Sequence, residues 1–170
     1  MTMSVRVAIV STLTVVAAAI TARPAVAQAL GYGIAGPAGY TGFFGSSSVP
    51  MLHAAGGGEF LAGGRVGGGG EFGLLGNTDG GMFVTSVNGV FHFKPSVATP
   101  IRSRISPFAS GGYTRITGGE GAFNAWNLGA GADVWLKPRV GLRLEFRDHI
   151  RPDGRGGVEY WAFRAGVVFR

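Results

Sequence analysis

The residues best suited to chemistry in this sequence are the neighbouring Asp148 and His149. A carboxylate beside an imidazole can orient it as a general base for a nucleophile such as serine. No serine lies nearby in the sequence, and the nucleophile motif G-x-S-x-G is missing. We therefore predict no catalytic residues and no enzyme activity, and we keep catalysis at this segment as an alternative.

Two further groups of residues have types that bind cofactors or metal ions. Residues 68–73 have the spacing G-x-G-x-x-G, which binds phosphate where it joins a strand to a helix. No helical periodicity follows them, so these glycines are expected to line a wall of β-structure. His53, His92 and His149 lack the short spacing of metal ligands, and the chain has no cysteine. The sequence predicts neither a cofactor nor a metal site.

The composition excludes several classes of protein. Of the 170 residues, 46% are hydrophobic and only 14% are charged, which is the reverse of the balance in a disordered chain. The 32 glycines are irregularly spaced beside only 8 prolines, which excludes collagen. Past residue 27 there is no apolar run of the roughly 20 residues that a membrane helix needs. Apolar residues that are abundant without forming a run must alternate with others, as in a membrane β-barrel.

Residues 1–27 are predicted to be a cleavable signal peptide. Arg6 supplies the positive charge, residues 7–20 are apolar, and residues 25–27 (AVA) form a small-x-small cleavage site. The alternative is a retained membrane anchor, but an apolar stretch of 14 residues is short for a span. Removal of this segment takes Arg6 and Arg23 with it and leaves 13 cations and 9 acids. So small an excess on a secreted protein does not indicate a nucleic-acid partner.

Residues 28–170 are predicted to form a single all-β domain. The clearest segment is 139–147, which places Val140, Leu142, Leu144 and Phe146 on one face and Arg143, Glu145 and Arg147 on the other. About eight such segments are separated by turn residues; segment 28–36 is the weakest, and the connections near 38–50 and 95–103 are the longest. Eight strands of about ten residues fit this length, so we predict an eight-stranded antiparallel up-and-down transmembrane barrel.

The two faces of these strands suit different surroundings. One face is broad, apolar and rich in aromatic residues, and the other combines glycine, alanine and serine with single charges. An outer wall in lipid and a narrow lumen filled by side chains explain both faces. Closure of the sheet also pairs every strand edge, as lipid requires. A soluble secreted β-barrel that binds an apolar ligand is the alternative.

The alternation assigns individual residues to the wall and to the lumen. The lipid face with its aromatic belts is predicted to contain Phe60, Phe83, Phe91, Phe93, Tyr113, Trp126, Phe146, Trp161, Phe163 and Phe169. We expect Phe83, Tyr113, Trp126, Phe146 and Trp161 near the outer ends of their strands, and Phe60, Phe91, Phe93 and Phe169 near the inner ends. The lumen is predicted to hold a network of four acids and three bases, namely Glu59, Glu71, Asp133, Arg143, Glu145, Arg147 and Arg164. Unpaired charges are costly in a narrow interior, so most should pair between neighbouring strands and thereby block conduction.

Three stretches resemble the small outer-membrane β-barrel family, which includes the membrane domain of outer membrane protein A. They are residues 107–113 (PFASGGY), 127–135 (NLGAGADVW) and 140–147 (VGLRLEFR). The likeness covers about residues 50–170. The last segment, in which Phe169 is the penultimate residue of the sequence, also resembles the assembly signal of such proteins, which usually ends in an aromatic residue. The resemblance implies an eight-stranded barrel in the cell outer membrane, inserted by the barrel-assembly machinery.

A structural or interaction role is the function class that these observations favour. We expect a monomer whose partners are outer-membrane lipid and lipopolysaccharide, and no nucleic acid. Residues 147–155 are predicted to form a rim loop whose arginines contact solvent or lipopolysaccharide phosphate. A narrow channel and a lipid A-modifying enzyme are the alternatives, because some eight-stranded barrels deacylate or acylate lipid A. Bilayer conductance and lipid A mass spectra distinguish these alternatives.

Overall fold

The structure is a computed structural model that describes residues 27–41, 48–93, 104–119, 121–151 and 159–170. Eight antiparallel strands form a closed barrel in which each strand pairs with the next and β8 pairs with β1. The strands are β1 (Gln28–Thr41), β2 (Ser48–Ala62), β3 (Val66–Asn77), β4 (Gly80–His92), β5 (Ile105–Gly118), β6 (Gly121–Lys137), β7 (Val140–Ile150) and β8 (Glu159–Phe169). The predicted eight-stranded all-β barrel is confirmed. Residues 1–26 of the predicted signal peptide lie outside the described residues, so the signal peptide stays a prediction.

The barrel has two rims. At the lower rim β1 begins and β8 ends, and at the upper rim β1 ends and β8 begins. Between β2 and β3, at the lower rim, Gly63 and Gly64 have φ values of 59° and 65°, a left-handed conformation that favours glycine. Between β3 and β4, at the upper rim, the Asn77 side chain accepts a hydrogen bond from the Asp79 backbone N–H at 2.9 Å. Local turn chemistry therefore accounts for these two short connections.

The first strand is longer than the sequence predicts. It continues to Thr41, and β2 begins at Ser48, so most of the predicted connection 38–50 is strand. The ladder between β1 and β8 skips Gly36 and Pro37, and a Cβ atom at Gly36 would collide with the backbone of β8. Pro37 has no N–H to donate to a ladder. This local interruption weakens the alternating sequence pattern of β1, but the strand continues through it.

Alternation separates the outer wall from the lumen along the strands. In β7, Leu142 and Leu144 are exposed on the wall, whereas Arg143 and Glu145 are buried inside. Two apolar clusters occupy the lumen. The lower plug consists of Leu30, Tyr32, Ile34, Leu61, Val90, Phe108, Trp135 and Val168. The upper plug consists of Ala38, Leu75, Val84, Ile116, Tyr160 and Ala162, with Met51, Met82 and Phe123 packed against it.

The ten aromatic residues predicted for the lipid face are all exposed on the outer wall. The outer-end depths predicted for Tyr113, Trp126 and Phe146 are wrong, because Tyr113 and Trp126 lie five residues inside the upper ends of β5 and β6. β7 continues to Ile150, so Phe146 lies near the middle of its strand, opposite Phe163, and not near an outer end. The sequence interpretation ended the strand at Arg147, but the alternation continues through His149, which is buried in the lumen. The predicted rim loop 147–155 is therefore strand as far as Ile150.

Within the described residues, no helix is long and apolar enough to cross a membrane.

Candidate functional site: the charged lumen

The seven charged residues predicted for the lumen all point inward, and none is more than 4% exposed. They divide into two groups. One of them contacts Tyr32 and Phe108, which belong to the lower plug. The lower charge group is Glu59, Asp133 and Arg143, together with His92. The upper charge group is Glu71, Glu145, Arg147 and Arg164. Period-two alternation places these side chains in the lumen, and the fold decides which of them meet.

Arg143 is the centre of the lower charge group. Its Nη1 atom lies 2.8 Å from Oε1 of Glu59, and its Nε donates to Oδ1 of Asp133 at 3.0 Å. The guanidinium also lies between the rings of Tyr32 and Phe108, at 4.4 and 4.3 Å from their centroids. Aromatic faces stabilise a cation, and a planar guanidinium suits this sandwich better than an ammonium. One arginine thus serves two carboxylates.

His92 completes the lower charge group. Its Nε2 atom lies 3.3 Å from Oε2 of Glu59, and its Nδ1 lies 3.1 Å from the hydroxyl of Ser106. The imidazole stacks on Phe108 with the ring centroids 5.4 Å apart. Glu59, Asp133 and Arg143 together contribute two carboxylates and one guanidinium to the group. His92 extends the hydrogen-bonded contacts of Glu59 to Ser106 on β5.

The upper charge group is a closed ring of two acids and two bases. Oε1 of Glu71 accepts a hydrogen bond from Nη1 of Arg164 at 2.6 Å and lies 3.4 Å from Nη1 of Arg147. Nε of Arg147 donates to Oε1 of Glu145 at 2.8 Å, and Nη2 of Arg164 lies 3.0 Å from Oε2 of Glu145. Each carboxylate therefore contacts both arginines, and the charges of the group cancel.

Tyr32 links the two charge groups and was not predicted. Its ring lies against Arg143, and its hydroxyl donates to Oε2 of Glu71 at 3.1 Å. Gly57 provides the space, because a Cβ atom there would lie 2.5 Å from the Tyr32 hydroxyl oxygen. Tyr32 belongs to the strand with the weakest sequence pattern, although Leu30, Tyr32 and Ile34 do alternate inward.

Two histidines that were considered from the sequence only as metal ligands also belong to this site. His92 is described above, and Nδ1 of His53 lies 3.2 Å from Nη1 of Arg164. The alternation had already placed both on the inward face, but their sequence separation suggested no partner. Among the described residues, no group of three His, Asp or Glu side chains could hold a metal ion.

Pairing between neighbouring strands, which was predicted for most of the charges, involves four of the seven residues, but the network also contains pairs across the lumen. Among the described residues, the pairs that join neighbouring strands are Asp133–Arg143 and Glu145–Arg164. The pairs that cross the lumen are Glu59–Arg143, Glu71–Arg147 and Glu71–Arg164. Eight strands enclose a lumen just wide enough for side chains to fill, so an arginine reaches the opposite wall. The network therefore ties opposite walls together as well as neighbouring strands.

Asp148 and His149 do not form the acid–base pair considered from the sequence. Oδ1 of Asp148 accepts a hydrogen bond from the backbone N–H of His149 at 2.9 Å. The imidazole lies in the lumen, where its Nδ1 is 3.1 Å from the carbonyl oxygen of Tyr160 and its ring stacks on Tyr160. Residues 68–73 lie within β3 and do not form a strand-to-helix turn.

A cavity lies at each mouth of the barrel. The upper cavity has a volume of about 630 Å³, with Met51, Met82 and Phe123 among its lining. The lower cavity, of about 330 Å³, is lined in part by Trp135 and Arg170. Between the mouths the lumen is occupied by the two plugs and the two charge groups.

The barrel is similar to solved structures of small bacterial barrels. The structure of Neisserial surface protein A matches with a TM-score of 0.67 at 12% identity, covering 84% of this chain and 97% of that one. The N-terminal barrel domain of OprF from Pseudomonas aeruginosa matches with a TM-score of 0.58 at 17% identity, covering 82% and 96%. The outer membrane protein OprG from the same organism matches at 0.56 and 8% identity, covering 83% and 94%. The chain has the fold of the small outer-membrane β-barrels.

Likeness at these identities shows the fold alone. Neither a protein-family profile nor a curated protein sequence matches this chain. Small outer-membrane β-barrels, like other common folds, host different functions on one scaffold. The role of this barrel must therefore be argued from its own side chains.

Proposed function

We propose that the protein is an outer-membrane barrel with a closed lumen and a structural or interaction role exerted through its surfaces. One observation carries this proposal: the barrel is apolar outside and charged inside. On the wall, Leu128 is 69% exposed and Trp126 is 58% exposed, whereas Arg143 and Arg164 in the lumen are fully buried. A water-soluble protein rarely exposes so large an apolar surface. Lipid around the wall accounts for it.

The lumen argues for a closed barrel and against a channel. Conduction needs a continuous water-filled path, and here the two charge groups and the two plugs occupy the space between the mouths. Each of the seven charged side chains lies 2.6–3.4 Å from a group of opposite charge, which compensates its burial. Oδ2 of Asp133, Nη2 of Arg143 and Nε of Arg164 nevertheless have no hydrogen-bond partner among the described residues. The proposal therefore assigns the function to the outer wall and the rims, and it includes no catalysis.

The lower rim is assigned to the periplasmic side. An even number of strands returns the chain to the side on which it started, so β1 begins and β8 ends at the same rim. A chain exported behind a signal peptide starts in the periplasm. The upper rim would then face the cell exterior, where lipopolysaccharide is the available partner. We propose a monomer inserted by the barrel-assembly machinery.

Cell fractionation with heat-modifiable gel mobility tests the location and the fold together. We expect the protein in carbonate-washed outer membranes, with a folded band that shifts on boiling. Recovery of the mature protein in the soluble periplasm would contradict the proposal. An unprocessed chain in the inner membrane would contradict it as well.

A further inference from the structure

The two rims of the barrel differ sharply in charge. Among the described residues, the lower rim has five cations and no acidic side chain: Arg65, Arg104, Lys137, Arg139 and Arg170. The described residues of the upper rim include the three acids Asp79, Asp148 and Glu159 beside the two cations Arg115 and Arg151. The other acids in the described part of the chain are the four carboxylates of the lumen, which are paired there. The lower rim therefore has a positive charge that no acid of that rim balances.

The cations of the lower rim form a ring. Arg65 follows β2, Arg104 precedes β5, Lys137 and Arg139 flank the turn between β6 and β7, and Arg170 follows β8. Each meeting point of strands at this rim thus has at least one cation, and these five side chains are exposed. Lys94 and Arg102 belong to the connection between β4 and β5 and lie outside the described residues. A ring of this kind presents positive charge in every direction along the membrane plane.

Exposed aromatic residues at the lower edge of the wall lie beside the ring. Phe91 and Phe169, exposed on the wall, are at or next to the last residues of β4 and β8, and aromatic side chains of this kind mark the membrane interface. The Arg65 guanidinium lies over the Phe91 ring at 5.6 Å from its centroid. This contact holds a cation at the level of the aromatic belt. Arg170 lies instead at the mouth of the lumen, over Trp135 of the lower plug at 4.1 Å, and its Nε donates to the carbonyl oxygen of Pro138 at 2.6 Å.

We propose that the lower rim binds the phosphates of anionic glycerophospholipids, such as phosphatidylglycerol, in the surrounding leaflet. The proposal rests on the proposed function, because it needs the barrel to lie in a bilayer with its lower rim in a glycerophospholipid leaflet. Lys and Arg near an anionic membrane surface each strengthen attraction by about fivefold. Long basic side chains can extend past the apolar wall to reach the headgroups. The lower rim then anchors the barrel in depth and selects its lipid neighbours.

A lipid titration of the purified, folded barrel in neutral detergent micelles tests this proposal. Short-chain phosphatidylglycerol, short-chain phosphatidylcholine and glycerol phosphate are added separately, and backbone amide shifts are followed by NMR. We expect saturable shifts with phosphatidylglycerol near Arg65, Arg104 and Arg139, weak shifts with phosphatidylcholine, and small shifts near Asn77 and Gly121. Equal responses to the two lipids, or larger shifts at the upper rim, would overturn the proposal. Displacement of the lipid by equimolar glycerol phosphate would overturn it in favour of a site for a free phosphate.

Two matched double variants assign the effect to the lower rim. Arg65→Gln with Arg139→Gln should weaken phosphatidylglycerol binding by about 25-fold at low salt, because two cations of about fivefold each are lost. The control, Arg115→Gln with Arg151→Gln at the upper rim, removes the same charge and should change binding by less than about twofold. Equal weakening by both variants would contradict a site at the lower rim.

Heat-modifiable mobility, recorded for each sample, separates this proposal from the proposed function. A wild-type chain without a heat-modifiable folded form would contradict the barrel in the membrane itself. A folded wild-type barrel that prefers neither lipid would overturn the lipid site alone. If the lower-rim variant fails to fold, the location of the shifts in the wild-type titration still decides the proposal.

Discussion

The two charge groups of the lumen neutralise their buried carboxylates in different ways. In the upper charge group, two carboxylates each contact two arginines and the charges cancel. In the lower charge group, Arg143 alone serves Glu59 and Asp133, and it relies on His92 and on two aromatic rings. The upper charge group can lose one arginine and keep a cation on each acid, but the lower charge group cannot.

This difference teaches where the stability of the lumen is concentrated. A buried ion pair adds little net stability, yet removal of one partner leaves an uncompensated charge that is strongly destabilising. The cost of a substitution therefore depends on how many partners the remaining charges keep, and not on how many ion pairs the residue makes. The lower charge group should be the more sensitive one.

The largest expected effect is that of Arg143→Ala. It leaves Glu59 and Asp133 with His92 as the nearest cationic candidate, and we expect a loss of about 3–5 kcal/mol in the free energy of unfolding. In Arg147→Ala, Arg164 still contacts both acids of the upper charge group, so the loss should be smaller by at least about 1 kcal/mol. Equilibrium unfolding in urea, followed by the fluorescence of the three tryptophans, measures both. Equal losses of unfolding free energy in the two variants would contradict the greater sensitivity of the lower charge group.

A cation placed on the other face of β7 measures what an unpartnered charge costs in this barrel. Leu144 is 46% exposed on the wall near the middle of the strand. Leu144→Arg should destabilise the barrel by about 2–4 kcal/mol, because the charge enters the hydrocarbon region. Thr117→Arg, on the wall near the upper rim, is the control and should cost about 0–1 kcal/mol. If Leu144→Arg inserts and unfolds like the wild type, Leu144 does not face lipid.

Neutralising one acid in each charge group tests their charge balance. Asp133→Asn removes an acid from the group that has an excess of acids, so the free energy of unfolding should stay within about 1 kcal/mol of the wild type. Glu71→Gln leaves Arg147 and Arg164 with Glu145 alone and should cost about 2 kcal/mol. The same urea titrations read out both variants. The reverse order would show that the upper charge group is the one with spare acid.

The smallest expected effect comes from the lower plug. A Cβ atom at Gly141 would lie 3.2 Å from both Trp135 and Val168 and 2.9 Å from the carbonyl oxygen of Val134. Gly141→Ala should therefore overpack the lumen and cost about 1 kcal/mol. At Gly33 a Cβ atom meets nothing within 4 Å, so Gly33→Ala should be neutral or slightly stabilising. A stabilising Gly141→Ala would mean that the plug is loosely packed.

The sequence was sufficient for the fold and for the face on which each charge lies, because alternation is a local property. It was not sufficient to predict which charges form ion pairs. Alternation shows the face of the strand on which a side chain lies, but it does not show which side chains meet across the lumen. Glu59 and Arg143 are paired across the barrel, although 84 positions separate them in the printed sequence. Tyr32 was missed because Gly36 and Pro37 disrupt the pattern of its strand. Phe146 was placed too near a rim because the charged residues after it look like a loop.

Single-channel recording in planar bilayers tests the central claim most directly. The account predicts that the purified wild-type barrel gives no steady conductance, because the plugs and the charge groups fill the lumen from one mouth to the other. Insertion is verified in the same preparation by heat-modifiable mobility. Large, steady single-channel currents from the folded wild-type protein would contradict the closed lumen.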